Sequence, residues 1–132
     1  MHTDGFMKEL PRSVTSRAFR ASNGEYAWRR RDLPEALRAI ASTCWAILGG
    51  EVWVVRNDEI WAAIPEVGGG PSGVWGWEIQ PRRPDERRSD YCNRTVQESL
   101  ESVDQMPVEA SARLDVRDRL YFNVTYVRED DA

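Results

Sequence analysis

The sequence predicts an α+β domain: a two-layer sandwich with two helices on one face of an antiparallel sheet. Three observations predict it. Tight-turn signals at Asn23-Gly24, Asn57-Asp58 and Arg117-Asp118 join neighbouring apolar segments, and strands joined so closely run antiparallel. Two other stretches repeat apolar residues at helical spacing. The 132 residues hold no repeat and no internal linker, so one domain is expected over 1–132, with flexible ends at 1–12 and 128–132.

The elements run in the order ββ-α-βββ-α-ββ. Asn23-Gly24 suits a two-residue type I′ turn between VTSRAFRAS and EYAWRR, which sets Phe19 opposite Trp28 and Ala21 opposite Tyr26. Asp32-Leu33-Pro34-Glu35 has the form of a capping box, with Asp32 placed to accept from first-turn amides. Leu33, Leu37, Ile40, Cys44, Ile47 and Leu48 then follow helical spacing, and Gly49-Gly50 is placed to end a helix over 33–48. The last turn, CWAIL, is apolar nearly all round.

A second hairpin, EVWVVR-ND-EIWAAIP, pairs Arg56 with Glu59, Val55 with Ile60 and Trp53 with Ala62. One face carries Trp53, Val55, Ile60, Ala62 and Ile64, and the other carries Val52, Val54, Trp61 and Ala63. Both faces are apolar, so the second must be covered within the domain or by a partner. GVWGWEIQ alternates as a strand: Trp75, Trp77 and Ile79 lie on one side, Gly76 and Glu78 on the other. That alternation, and the lack of a following Lys, exclude a phosphate loop from GGGPSG. Gly76 marks a bulge or a close approach of another chain segment.

The charged loop PRRPDERR leads to Ser89, placed to cap a helix over 90–105 with Asp90 in its first turn. Cys92, Val96, Ser99, Leu100 and Val103 form its inward stripe, and Pro107 closes it. ASARLDV and RLYFNVTYV read as a last pair of strands.

Composition narrows the function. The only histidine, His2, lies in the amino-terminal segment, which removes histidine-based triads, dyads and zinc sites. Cys44 and Cys92 match no metal spacing and read as buried reduced thiols. No cofactor is expected. Glu51, Glu66 and Glu78 leave a carboxylate-based glycan-active enzyme as the surviving catalytic reading. No apolar run is long enough to span a bilayer, and the first residues lack a signal-peptide core, so a cytoplasmic location is expected. Residues 1–31 hold seven Lys or Arg against three acids. That leaves −8 for the remainder of a chain whose net charge is −4. An acidic body argues against nucleic acid and suits a basic protein partner. Six tryptophans exceed what two small helices need to cover, and Trp makes large buried contacts at interfaces. The interface candidates are Trp61, Trp75, Trp77, Glu78 and Arg56. A protein partner or a homodimer is expected.

ILGGEVWVVRNDEIWAAIPE, GVWGWE and YCNRTVQESLESV together resemble the small, acidic, Trp-containing α+β immunity proteins of bacterial polymorphic toxin systems, over roughly residues 32–105. The resemblance implies a non-catalytic inhibitor that binds and neutralises a cognate toxin domain; it carries over no binding residue. The order α-βββ-α-ββ is also similar to the secretion-chaperone fold, whose members dimerise around an effector segment. The amino-terminal hairpin and the lack of a long final helix depart from that pattern.

Overall fold

The computed structural model describes residues 10–43, 45–57, 59–62, 76–106 and 119–128. Along them run α1 (Arg12–Thr15), β1 (Phe19–Arg20), β2 (Tyr26–Trp28), α2 (Leu33–Ser42), β3 (Trp45–Arg56), β4 (Glu59–Ala62), β5 (Gly76–Glu78), α3 (Arg88–Asp104) and β6 (Leu120–Arg128). The α+β class is the predicted one. Six strands form one antiparallel sheet in the order β1-β2-β6-β3-β4, with β5 also paired to β3. β3 is its spine: β6 lines one edge, and β4 and β5 share the other.

Alternation along the strands sorts side chains between two faces. Val52 and Val54 of β3, Leu120, Phe122 and Val124 of β6, and Tyr26 and Trp28 of β2 meet one core cluster. The same cluster takes Leu33, Leu37 and Ile40 from α2 and Val96 and Val103 from α3, so both helices cover that face. α1 joins them: Val14 is buried, and its carbonyl accepts the Trp28 indole N–H at 2.9 Å. Arg30 ties the β2–α2 turn to the end of α3, donating to the carbonyls of Val103 (3.0 Å) and Met106 (2.7 Å). A cation there also suits the helix C-terminal dipole.

Several elements depart from the sequence reading. The helix expected over 33–48 stops at Ser42, and Trp45-Ala46-Ile47-Leu48 supply the start of β3 instead. Ser42 and Thr43 turn their hydroxyls onto the carbonyls of Ala39 (2.8 Å) and Ile40 (2.7 Å) at the helix end. An apolar run without helical polarity is equally a fully buried strand. Gly49-Gly50 therefore sits inside a strand. Ile47 pairs with Tyr126 and Gly49 with Thr125, so Leu48 is an extra, bulged residue. The bulge shifts the alternation by one: Trp45 and Ile47 face the core before it, Val52 and Val54 after it. Cys44 lies outside the described residues.

The first hairpin is shifted by one residue. Phe19 pairs with Ala27 and Arg20 with Tyr26. Gly24 N–H donates to the Ala21 carbonyl at 2.9 Å, and Ala21 N–H to Glu25 at 2.8 Å. Only Gly24 of the turn has positive φ (91°), so the loop has three residues, with Gly in the left-handed position. The slip sends Phe19 and Trp28 to opposite faces. Upstream, VTSRAFRAS forms α1 and a two-residue strand. Asp32 does precede α2, but it is itself helical and makes no side-chain cap bond; its carboxylate lies 3.7 Å from Arg17 and 3.9 Å from Arg31. α3 begins at Arg88, before Ser89, and Arg87 stands at its N-cap without a side-chain bond. Its predicted inward stripe is correct: Cys92, Val96, Ser99 and Val103 are buried. The expected strand over 110–116, its turn and Pro107 lie outside the described residues.

The second hairpin has the predicted register, Arg56 to Glu59, Val55 to Ile60 and Trp53 to Ala62, with Asn57 at φ +50° in its turn.

Candidate interface on the open sheet face

The face away from the helices is built from the alternate residues of the same strands. At one end Trp53 packs with Ala21 and Ala27, and Phe19, Val55 and Tyr121 lean against them. Phe19 meets the Trp53 ring edge-on at 6.3 Å and the Tyr121 ring at 6.0 Å. Arg29 lies 5.4 Å above Tyr121. The Trp53–Val55 face of the hairpin is thus partly covered within the domain by side chains of β1 and β6, while Val52 and Val54 lie in the core on the other. Beyond this cluster, Ile60 stays 43% exposed, and it pairs with Val55 on this face.

At the other end the face opens into a groove of about 590 Å³ lined by Glu25, Leu48, Gly49, Gly50, Glu51, Gly76, Trp77, Glu78, Asn123 and Thr125. Register explains its composition. Glu51 pairs with Asn123 on one side and Gly76 on the other, and Gly49 with Thr125 and Glu78, so these residues share one face. The glycines let the strands come close. A Cβ on Gly76 would sit 2.7 Å from the Gly50 carbonyl, and one on Gly49 would collide with the Trp77 carbonyl. The close approach expected at Gly76 is therefore present.

Three carboxylates stand around this groove. Glu25 is held by amides: Asn23 Nδ2 donates to it at 2.7 Å and Asn123 Nδ2 at 3.2 Å. Glu51 accepts the Trp53 indole N–H at 2.9 Å, which links the groove to the aromatic cluster. Glu78 is exposed and has no polar partner among the described residues. No arginine or lysine pairs with any of the three among the described residues. The ion pairs found there engage Asp32, Glu35, Glu86 and Glu98. Nor does any group of three or more His, Cys, Asp or Glu among the described residues have the geometry to hold a metal ion.

The five sequence candidates separate. Glu78 lines the groove. Trp77, its neighbour, points to the opposite face, lies against Gly50 and donates its indole N–H to Ser99 of α3 at 2.9 Å. Trp61 pairs with Val54, whose side chain is in the core, and Arg56 pairs with Glu59. The side chains of Trp61 and Arg56, and all of Trp75, lie outside the described residues. Glu25 and Asn123 were missed because nothing local connects them; Asn123 reaches Glu25 across 98 positions of sequence.

A second polar feature centres on Arg94. It binds both carboxylate oxygens of Glu86 at 2.7 and 2.9 Å, Glu98 at 3.2 Å, and the carbonyls of Gln80 and Pro81. Its guanidinium lies 5.2 Å from the Tyr91 ring. The hydrogen bond from Arg94 holds the Glu86 carboxyl down at about 2, with the Arg83 backbone N–H adding to it against the cost of burial. This network staples the 80–87 loop to α3, and its paired charges are structural. Burial, with Tyr26 close by, pushes the Tyr126 phenol up, and its ring packs 5.2 Å from Trp45.

No helix among the described residues is long and apolar enough to cross a membrane. No curated protein and no solved structure shows significant similarity to the chain. A family model does match, that of Immunity protein 40, over residues 19–124, which takes in β1 through the first part of β6 and every groove-lining residue but Thr125. The chain therefore belongs to the Immunity protein 40 family.

Proposed function

We propose that this protein is a stoichiometric, non-catalytic inhibitor that binds the toxin domain encoded with it and neutralises it in the cytoplasm of the producing cell. The observation that carries the reading is the open sheet face. One side of the sheet is buried under two helices, while the other presents an aromatic cluster, an exposed Ile60 and a solvent-open groove. Family membership supports the immunity role. Among the sequence candidates, Glu78 belongs to it. Trp77 belongs to the packing beneath it.

The test is protection. The reading frame adjacent to this one is expressed with and without this protein. Survival only in its presence, together with a one-to-one complex on gel filtration, is the expected result. Death in both cases ends the reading. A symmetric dimer with no heterologous complex would favour the homodimer, and capture of an extended secreted segment would favour the chaperone.

One observation keeps a second reading in view: Glu51 and Glu78 are diagonal neighbours on β3 and β5 and line the same groove. Diagonal neighbours across a sheet lie about 7–8 Å apart. Turnover of a glycan panel, abolished by Glu78→Gln, would replace the inhibitor with a carboxylate enzyme.

A further inference from the structure

We infer, resting on the immunity reading, that the groove between β3, β5 and β6 receives a lysine- or arginine-bearing segment of the toxin, with the cationic head against Glu25, Glu51 and Glu78.

Three features point to a cation borne on a side chain. The first is charge: three exposed carboxylates share one face, and none has an ionic partner among the described residues. Like charges gathered this way raise the local potential and favour a cation from outside. The second is hydrogen-bonding sense. Asn123 is only 3% exposed and lines the groove. Its amide nitrogen is spent on the Tyr26 carbonyl at 2.9 Å and on Glu25, which fixes the orientation of the amide. Its amide oxygen accepts nothing among the described residues. A buried acceptor left over beside three carboxylates calls for a donor, and the Lys and Arg head groups are donors only. The third is shape. Gly49, Gly76 and the half-exposed Leu48 give the groove a low, partly apolar floor along which an alkyl stem can lie while its head reaches the rim. The carboxylates do not form a ligand set for a bare metal ion.

The position of Glu51 adds register. The Trp53 indole holds it at 2.9 Å, so it stands fixed between the groove and the aromatic cluster. A segment seated by its cation at Glu51 and Glu78 would bring its flanking residues over Val55, Ile60 and Tyr121. That arrangement sets charge beside partly exposed apolar and aromatic side chains, the anatomy of a protein interface.

Glu78→Lys is the discriminating variant, because Glu78 has no polar partner among the described residues to lose. It is compared with Glu101→Lys, on an exposed part of α3, and with the conservative Glu78→Gln. Each is measured as the full chain against the adjacent toxin domain, at low and high salt, after a melting curve confirms folding. Glu78→Lys should bind about a hundredfold more weakly and lose protection, Glu78→Gln should be intermediate, and Glu101→Lys should match wild type. Association should slow with salt for wild type and less so for Glu78→Lys. Wild-type protection with unchanged affinity in Glu78→Lys would overturn the groove and leave the immunity reading standing.

If wild type protects against nothing, the immunity reading falls, and a second measurement decides the groove. An octapeptide of alternating Arg and Gly is titrated into the labelled free protein. Amide shifts centred on Gly49, Glu51, Gly76, Glu78 and Thr125, lost in the Glu51→Gln/Glu78→Gln double variant, support the groove. Shifts elsewhere, or none at millimolar peptide, refute it.

Discussion

The two faces of one sheet follow opposite rules. Beneath the helices, polar groups pair internally: the Trp77 indole meets Ser99, and the buried Thr95 hydroxyl accepts from Ile47 N–H at 3.2 Å while donating to Cys92 at 2.8 Å. On the open face, Glu25 and Glu51 are held by neutral donors, while among the described residues Glu78 has none and the Asn123 amide oxygen is left over. Neighbouring residues of the same strands fall on the two sides: Trp77 beside Glu78, Val52 and Gly50 beside Glu51, Phe122 and Val124 beside Asn123. The alternation that buries a core thus writes a solvent-facing pattern in the same letters. Stability and recognition should therefore respond separately to substitution at adjacent positions.

The comparison breaks most sharply at Phe122. Its ring is fully buried under both helices, with Arg30 stacked 4.9 Å away. Phe122→Ala should cost about 3–5 kcal/mol in denaturant unfolding, enough to leave a small domain marginal. A loss below about 1 kcal/mol would mean that the helices are not seated on this face as described.

Gly50 tests the boundary between the faces. A Cβ there would meet the Asn123 carbonyl and the Trp77 ring. Gly50→Ala should cost about 1–3 kcal/mol, by forcing either the β3–β6 pairing or the indole to move. Trp77 fluorescence should shift with it, since the ring carries the strain. Gly24→Ala is the contrast. Nothing lies within 4 Å of a Cβ there, and any penalty comes from its positive φ alone.

What could be read in advance follows from what is local. The second hairpin was legible because its turn and alternation lie within a dozen residues. The inward stripe of α3 was legible because helical periodicity is also local. The phase of GVWGWE put Trp77 and Glu78 on opposite sides, as found. Residues 45–48 were misread because a run apolar on every side has no period, and only the β6 partner decides that it is a strand. The first hairpin was misread because Asn23-Gly24 serves a two-residue or a three-residue loop, and the Phe19–Trp53–Tyr121 contacts select the latter. The groove was illegible as a unit. Its residues come from four separated segments, around 25, 48–51, 76–78 and 123–125, joined only by strand pairing that no short window contains. Glu78 entered through its neighbouring tryptophans, and only the register revealed its companions.

The Glu86–Arg94 pair sharpens the contrast through pH. Glu86 titrates near 2 in the fold, against an ordinary value of 4.5. A carboxyl lowered by folding contributes stability that is present above the ordinary value and is lost as pH falls towards the folded value. Wild type should therefore lose melting temperature between about pH 4.5 and 2, and Glu86→Gln should show a shallower decline over the same window. Equal slopes would mean that the pair adds nothing to folding. The charge of this carboxylate is met by an arginine of its own fold, whereas none of the three on the open face has an ionic partner among the described residues.

The smallest expected effect on stability is at Glu78. It is exposed, its side chain has no polar partner among the described residues, and the residue paired with it on β3 is Gly49. Glu78→Gln should leave the unfolding free energy within about 0.5 kcal/mol of wild type. Removing one of three like charges should, if anything, stabilise the free protein slightly by relieving repulsion. The measurement is the denaturant midpoint at unchanged m-value, made at low salt, where the repulsion is least screened. A clear loss of stability would show that Glu78 holds the β3–β5 pairing together. The open face would then be part of the scaffold, and its carboxylates could not be assigned to a partner. No loss, together with weakened protection, would leave recognition as the one remaining role for that carboxylate.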